Sequence, residues 1–182
     1  GNLVRSGYIE PVVITEDIHS RYSQDAIDAF TLDGICYGIG YSIESSGLLY
    51  NKDLISSEEL PQTWEDFWDV ARDLTSETIR GTLLHVKDIW FNYPIIQEYG
   101  GYYYGVDENG IYNPYDIGLN NEGMLEYISV MKQAMKDGLT LTSESEMESH
   151  ISNEFSHGRV AMILYGLWNA SIYQARGLNY GI

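Results

Sequence analysis

Apolar positions along this chain switch between two spacings. Phe67, Val70, Ala71 and Leu74 recur at i, i+3, i+4 and i+7, one face of a helix. Thr63 stands where a cap is needed, Asp66 follows three residues later, and the acids suit the positive helix end. Leu125, Ile128, Met131 and Met135 predict the inner face of a long helix capped by Asn120 or Asn121 and stopped by Gly138. Met147, Ile151 and Phe155 predict another, ending at Gly158. Between these lie short apolar runs of strand character: 35–43, 47–50, 82–86 and 160–164, with Gly38, Gly40 and Gly47 relaxing the backbone. Residues 90–99 read as a helix with Pro94 in its first turn, stopped by Gly100-Gly101. Glu108-Asn109-Gly110 between Tyr102-Tyr103-Tyr104 and Ile111-Tyr112 predicts a hairpin. Gly166 opens a helix holding Trp168, Ile172 and Tyr173. Alternating helices and strands argue for an α/β sandwich.

Both ends are abrupt. Leu3 to Tyr8 reads as the last turn of a helix stopped by Gly7, and Leu178 to Ile182 reads as a strand entering. The pattern predicts a piece of something larger. No basic stretch followed by an apolar run opens it, so no signal peptide is read here.

Composition narrows the function. The 182 residues carry 27 acids against 10 Lys and Arg, a net charge of −17. Nucleic-acid binding needs cations to displace phosphate counterions, and an anionic membrane surface repels such a chain. No apolar run reaches the roughly 18 residues of a membrane span. One cysteine, Cys36, excludes an internal disulfide and a multi-cysteine zinc site, and reads as a small buried apolar residue.

Catalytic signatures are scarce. There is no Gly-x-Ser-x-Gly and no phosphate-cradling Gly-Lys-Ser/Thr loop. His19, His85, His150 and His157 show no metal-ligand spacing, and no cofactor is implied. The acidic run Ser143 to Glu148 lacks the Gly and spaced Asp of a calcium loop and reads as the solvated first turn of a helix. The 16 Tyr and 4 Trp are more informative. Trp90 sits at a strand-to-helix junction and Trp168 just after a strand and a Gly, where ligands gather in α/β sheets. A sugar has an apolar C–H face and hydroxyls on its rim. Trp and Tyr match the first and carboxylates such as Glu44 and Asp88 the second. Trp64 and Trp68, beside core positions on one helix, read as core.

The order of segments resembles the family 1 extracellular solute-binding proteins, the sugar receptors of ABC importers that include the maltodextrin receptors. Tyr41 to Leu54 is similar to their hinge strand, and Pro61-Gln62-Thr63-Trp64-Glu65-Asp66-Phe67 to their Pro-x-Thr-Trp-Glu helix start. Trp90 to Pro94 with Gly100-Gly101-Tyr102 resembles the next helix and turn. Phe155 to Met162 and Gly166-Leu167-Trp168 resemble a Phe-x-x-Gly-x-x-Ala-Met and Gly-x-Trp pair, and Leu178 to Ile182 a returning strand. The resemblance implies an α/β fold, a periplasmic-binding-protein type II clamshell, here an incomplete piece centred on one α/β lobe. Residues 1–40 would be the tail of the first lobe and 41–182 the body of the second, ending at a hinge strand.

Carried over residue by residue, the resemblance implies ligand contacts at five positions. Glu44 falls on a sugar-binding Glu; Asp88 on another, shortened by one methylene; Trp90 on a stacking Tyr; Trp168 on a stacking Trp; and Tyr93 on an aromatic near the site. Ile89 stands where that family has a Pro, a departure that bears on the local turn. The implied function is a monomeric, non-enzymatic extracellular receptor, lipid-anchored or periplasmic. It binds an oligosaccharide, maltodextrin-like by preference, and presents it to ABC permease subunits, with no metal, cofactor or nucleic acid. Three other readings stay open: a receptor for a different oligosaccharide, a glycoside-active enzyme using Glu44 as an acid, and a receptor-like fold recruited as a sensor or protein-interaction module.

Overall fold

A computed structural model describes residues 1–42, 44–108, 110–141 and 147–182, without the side chains of Met147 and Glu148. The chain divides into two units, Gly1–Glu44 and Ser45–Ile182.

The first unit holds three short helices, α1 (Asn2–Arg5), α2 (Glu16–Arg21) and α3 (Gln24–Asp28), and the hairpin β1 (Thr31–Leu32) with β2 (Ile35–Cys36). Gly7 takes a positive φ of 68°, its own N–H donates to Val4 O and that of Tyr8 to Leu3 O, so it stops α1 as expected. The strand expected over 35–43 is a strand only at Ile35–Cys36; Ile43 lies outside the described residues. Asp33 and Gly34 both take positive φ and fold the chain back on itself, the geometry of a tight two-residue hairpin turn. Tyr37 then donates to Phe30 O, and Gly38 lies against the Phe30 ring, where a Cβ would come within 3.0 Å. Cys36 is buried, and its thiol donates to Gly38 O.

The second unit is built on a mixed four-stranded sheet, ordered β10 (Tyr180–Gly181), β3 (Ser46–Asn51), β9 (Val160–Gly166) and β4 (Arg80–Thr82). Strand β9 runs antiparallel to β3 and parallel to β4. All seven of its residues are buried. Ala161, Met162 and Leu164 belong to one core with Phe67, Trp68, Ile95 and Met131; Val160, Ile163 and Tyr165 belong to another with Leu49, Phe155 and Tyr173. A strand covered on both faces reads as a continuous apolar run, which is how it reads here.

Helix α4 (Trp64–Asp73) starts where the sequence says: Thr63 Oγ1 accepts from Asp66 N at 3.1 Å, and Trp68 is core as expected. The single strand expected over 82–86 is two, β4 and β5 (Leu84–His85), the latter pairing in parallel with β8 (Thr140–Leu141) in a separate sheet. In α5 (Ile89–Glu98) Pro94 is the sixth residue, not in the first turn, so the carbonyl of Trp90 loses its usual i+4 donor. A hairpin forms with strands β6 (Gly105–Val106) and β7 (Tyr112–Asn113), so the expected arm Tyr102-Tyr103-Tyr104 lies before it, with Tyr102 bridged to Gly118 instead; Asn109 lies outside the described residues.

Helix α6 (Glu122–Lys136) is capped by Asn121, but its inner face is Tyr127, Met131 and Ala134. Of the expected stripe only Met131 is buried; Leu125 is 65% exposed, and Ile128 and Met135 are exposed too. Tyr127 explains the shift, because its ring fills the core side and rotates the aliphatic row outward. In α7 (Met147–Ser156) Ile151 and Phe155 are buried as expected, while the Met147 side chain and most of the acidic run before it lie outside the described residues. Gly166 leads into a 3₁₀ turn, Leu167–Asn169, and then α8 (Ala170–Ala175).

Arg159 holds the end of α7 against the entry to β9 with two bonds to Glu154, Nε to Oε2 at 2.6 Å and Nη2 to Oε1 at 2.5 Å. These bonds hold the Glu154 carboxyl below its ordinary value of 4.5. Lowered by folding, its stabilisation is present above that value and is lost as pH falls through the folded one. Glu154→Gln is therefore expected to cost up to about 1 kcal/mol in urea unfolding at pH 7 and close to nothing at pH 3. An equal cost at both pH values would assign the effect to packing rather than charge.

Candidate ligand site

Strands β4 and β9 are parallel, so their carboxyl ends share one edge of the sheet, and β3 starts at that edge, with Ser46 opposite Gly166. Beyond this edge the chain leaves β5 into α5 and leaves β9 into the 3₁₀ turn. Four of the five candidate residues, Asp88, Trp90, Tyr93 and Trp168, are on these two exits.

Trp168 folds back over its own strand. A Cβ on Gly166 would lie 2.0 Å from the indole, so only a glycine lets the ring rest there. Phe91 and Tyr165 flank the indole, each with ring centroids 6.0 Å away, and stack on each other at 4.9 Å and 9°. Both are buried. Trp168 keeps 39% of its surface exposed. It is thus an indole with one side fixed by protein and another open to a ligand.

Asp88 caps α5: its Oδ1 accepts from Phe91 N at 3.2 Å. The turn is held from below by Asn92, buried, whose Nδ2 donates to His85 O at 2.8 Å; Asp88 N donates to the same carbonyl. Ile89 is the first helical residue. That position suits Pro as well as any other residue, because its N–H has no helical partner, so the departure at Ile89 leaves the turn intact. Phe91, Asn92, Ile95 and Ile96 face the core, which turns Trp90 outward, while Tyr93 packs at the core's margin. Trp90 is 69% exposed, and Tyr93 is half-buried and stacked on Tyr103 at 4.8 Å and 17°.

Glu44 is exposed and closes the first unit. The sequence reading did not reach Phe91 and Tyr165 as the walls of the indole, or Tyr103 as the partner of Tyr93. The Tyr102-Tyr103-Tyr104 run was visible, but as the expected arm of a hairpin. Among the described residues no group of His, Cys, Asp and Glu is arranged to hold a metal ion.

The whole chain, residues 1–182, matches the bacterial extracellular solute-binding proteins. It belongs to that family. The solute-binding chain is 32% identical, over its full length, to a galactooligosaccharide-binding protein of Bacillus subtilis, of which it spans 44%. It is 33% identical over 83% of its length to the maltodextrin-binding protein MdxE of the same organism, spanning 37% of it. The maltotriose-binding protein of Thermus thermophilus, solved with maltotriose, superposes on all of the chain with a TM-score of 0.82 at 27% identity, and the chain covers 48% of it. The chain therefore spans less than half the length of these relatives. Its fold is the α/β type II periplasmic-binding-protein fold over that span, as expected.

Asp88 has a structural task whatever it binds. Asp88→Ala is expected to lower unfolding stability by about 1 kcal/mol and Asp88→Asn by much less, since Asn caps nearly as well. Equal losses in the two variants, measured by urea unfolding, would remove the capping role. Gly166→Ala crowds the indole and is expected to cost about 1–3 kcal/mol and to shift the Trp168 indole NMR signal, with the other indoles little changed.

Proposed function

We propose that this chain forms part of an extracellular receptor that binds an oligosaccharide and delivers it to an ABC importer without acting on it chemically. The observation that carries this reading is the Trp168 indole, set over Gly166, walled by Phe91 and Tyr165 and still open on one side. An exposed, rigid, flat apolar surface suits the C–H face of a sugar ring. Covering on the order of 100 Å² of it is worth roughly 2–3 kcal/mol. Asp88, which accepts from the N–H of the flanking Phe91, sits on the neighbouring exit and offers an acceptor to the hydroxyl rim, where hydrogen bonds to ionised groups are the stronger kind. Trp90 adds a second open indole on α5.

Tyr93 and Glu44 are the remaining proposed contacts. The relatives named for maltodextrin, maltotriose and galactooligosaccharide favour an oligosaccharide, and a maltodextrin-like one is the reading preferred here. Residues 1–40 are proposed as the tail of one lobe and residues 41–182 as the body of the other, a reading supported by the division of the chain at Glu44 and Ser45. Ligand would drive closure of such lobes by binding the closed form better than the open one. No helix among the described residues is long and apolar enough to cross a membrane. The receptor is proposed to act outside the cytoplasmic membrane as a monomer, with the permease subunits as its protein partners.

Calorimetric titration with maltotriose tests the reading. Trp168→Ala is expected to weaken binding about 30-fold or more, the equivalent of the stacking estimate. Asp88→Asn, which keeps the cap, is expected to weaken it about fivefold to tenfold, the loss of one charge-assisted hydrogen bond. Saturable binding that survives Trp168→Ala unchanged would overturn the site. Appearance of shorter sugars on long incubation, abolished by Glu44→Gln, would turn the receptor into an enzyme.

A further inference from the structure

Stacking on Trp168 depends on where its indole stands, and Phe91, Tyr165 and Gly166 only bound the ring. Something must also hold the backbone of the 3₁₀ turn that carries it. Leu167–Asn169 is a single turn with no side-chain cap at Gly166, and such a turn is weakly held on its own.

Asn169, the next residue, supplies the hold. It stands at the N-cap of α8, where an Asn side chain ordinarily accepts from the first N–H groups of its own helix. Here it makes no cap bond. Its Nδ2 instead donates across to Ser152 Oγ on α7, at 3.0 Å. Ser152 Oγ lies 3.0 Å from Tyr173 Oη on α8, so the three side chains form one bonded row. Ser152 and Tyr173 are buried, Tyr173 completely. An amide N–H only donates, whereas a hydroxyl both donates and accepts, so both links close at once. Tyr173 is itself fixed: its ring meets Phe155 edge-on at 5.1 Å and Tyr180 at 5.7 Å. Tyr180 Oη in turn donates to Ala170 O at 3.3 Å. The two residues after Trp168 are thus tied to α7 and to β10.

This row runs into a core of Leu49, Ile151, Phe155, Val160 and Ile163. Apolar groups of the same shape can fill such a space with little loss of stability. What a hydrogen-bonded row adds is direction, since its links close in one arrangement and fail in others. That direction is delivered to the residue beside the stacking indole. We propose that Asn169 is a positioning residue of the ligand site, anchored on Ser152 and Tyr173, and that this row sets the angle and depth at which the Trp168 indole meets a sugar ring. The proposal rests on the sugar-receptor reading and goes beyond it by naming residues that touch no sugar and still govern affinity.

Maltotriose calorimetry on the wild-type chain, Asn169→Ala, Ser152→Ala, Trp168→Ala and the double variant Trp168→Ala/Asn169→Ala tests it, with the indole N–H NMR signals recorded without sugar. Asn169→Ala is expected to weaken binding about fivefold to tenfold, and Ser152→Ala, which removes the acceptor and leaves Asn169 in place, about as much. Both are expected to shift or broaden the Trp168 indole signal and to leave those of Trp64 and Trp68 in place. In the Trp168→Ala background, Asn169→Ala is expected to cost less than twofold, because a residue acting through the indole has nothing left to act on. Thr63→Ala, which removes the α4 cap, controls for lost stability: its unfolding midpoint falls, while its binding stays within about twofold of wild type. Equal weakening by Asn169→Ala in both backgrounds would make the row a general prop and overturn the inference. An unmoved Trp168 signal or an unchanged affinity in Asn169→Ala would overturn it too, leaving the receptor reading in place. Matching weakening in Thr63→Ala would assign the loss to stability and do the same. Absence of maltotriose binding by the wild-type chain would bring down the receptor reading, and this inference with it.

Discussion

The arrangement of the second unit rests on one strand that is buried from end to end. Strand β9 is covered on both faces, hydrogen-bonded on both edges, and shared by two cores. Its position decides which elements lie above the sheet and which below. It also fixes a direction: β4 runs with it, so both strands deliver the chain to the same edge. A seven-residue strand with no exposed position has no register to slip into without placing apolar side chains against the wrong core. What leaves that strand is held to the same accuracy as the strand itself.

Trp168 benefits directly. Two residues beyond β9, it lies against Phe91 on one exit and Tyr165 on β9, over the missing side chain of Gly166. Phe91 is itself fixed twice, by burial and by the bond from its N–H to Asp88. The cap that starts α5 and the wall that holds the indole are thus one construction. A contact group ordered by the fold rather than by its ligand gives up little freedom on binding, so more of its stacking appears as affinity. The same economy carries a constraint. Asp88 serves the helix first, and its reach toward any ligand is set by the geometry of the cap.

Legibility followed the kind of physical signal. Caps and stops depend on a few adjacent residues, and Thr63, Asn121, Gly7, Gly138 and Gly158 all stand where the sequence placed them. The apolar run at 160–164 and the spacing from Ile151 to Phe155 gave the right element and the right face. Helix α6 did not, because its heptad-like row of aliphatics competes with Tyr127, and only the space under the helix decides between them. The run from Ile35 to Ile43 had strand composition, but a strand needs a partner, and after Cys36 the pairing gives way to the Phe30 ring. Pairing is a long-range fact that a local pattern does not carry.

The site shows the same division. Trp90 and Trp168 were proposed because a junction between strand and helix is a local signature, Glu44 and Asp88 as acceptors for a sugar's hydroxyl rim, and the family resemblance supplied Tyr93. Phe91, Tyr165 and Tyr103 were not singled out, since their contacts with Trp168 and Tyr93 exist only once α5, β9 and the segment before β6 are brought together. Chemistry that binds is legible where it is exposed and punctuated by Gly or a cap. Contacts made across elements are not legible in that way, and the Tyr93–Tyr103 stack is one of them.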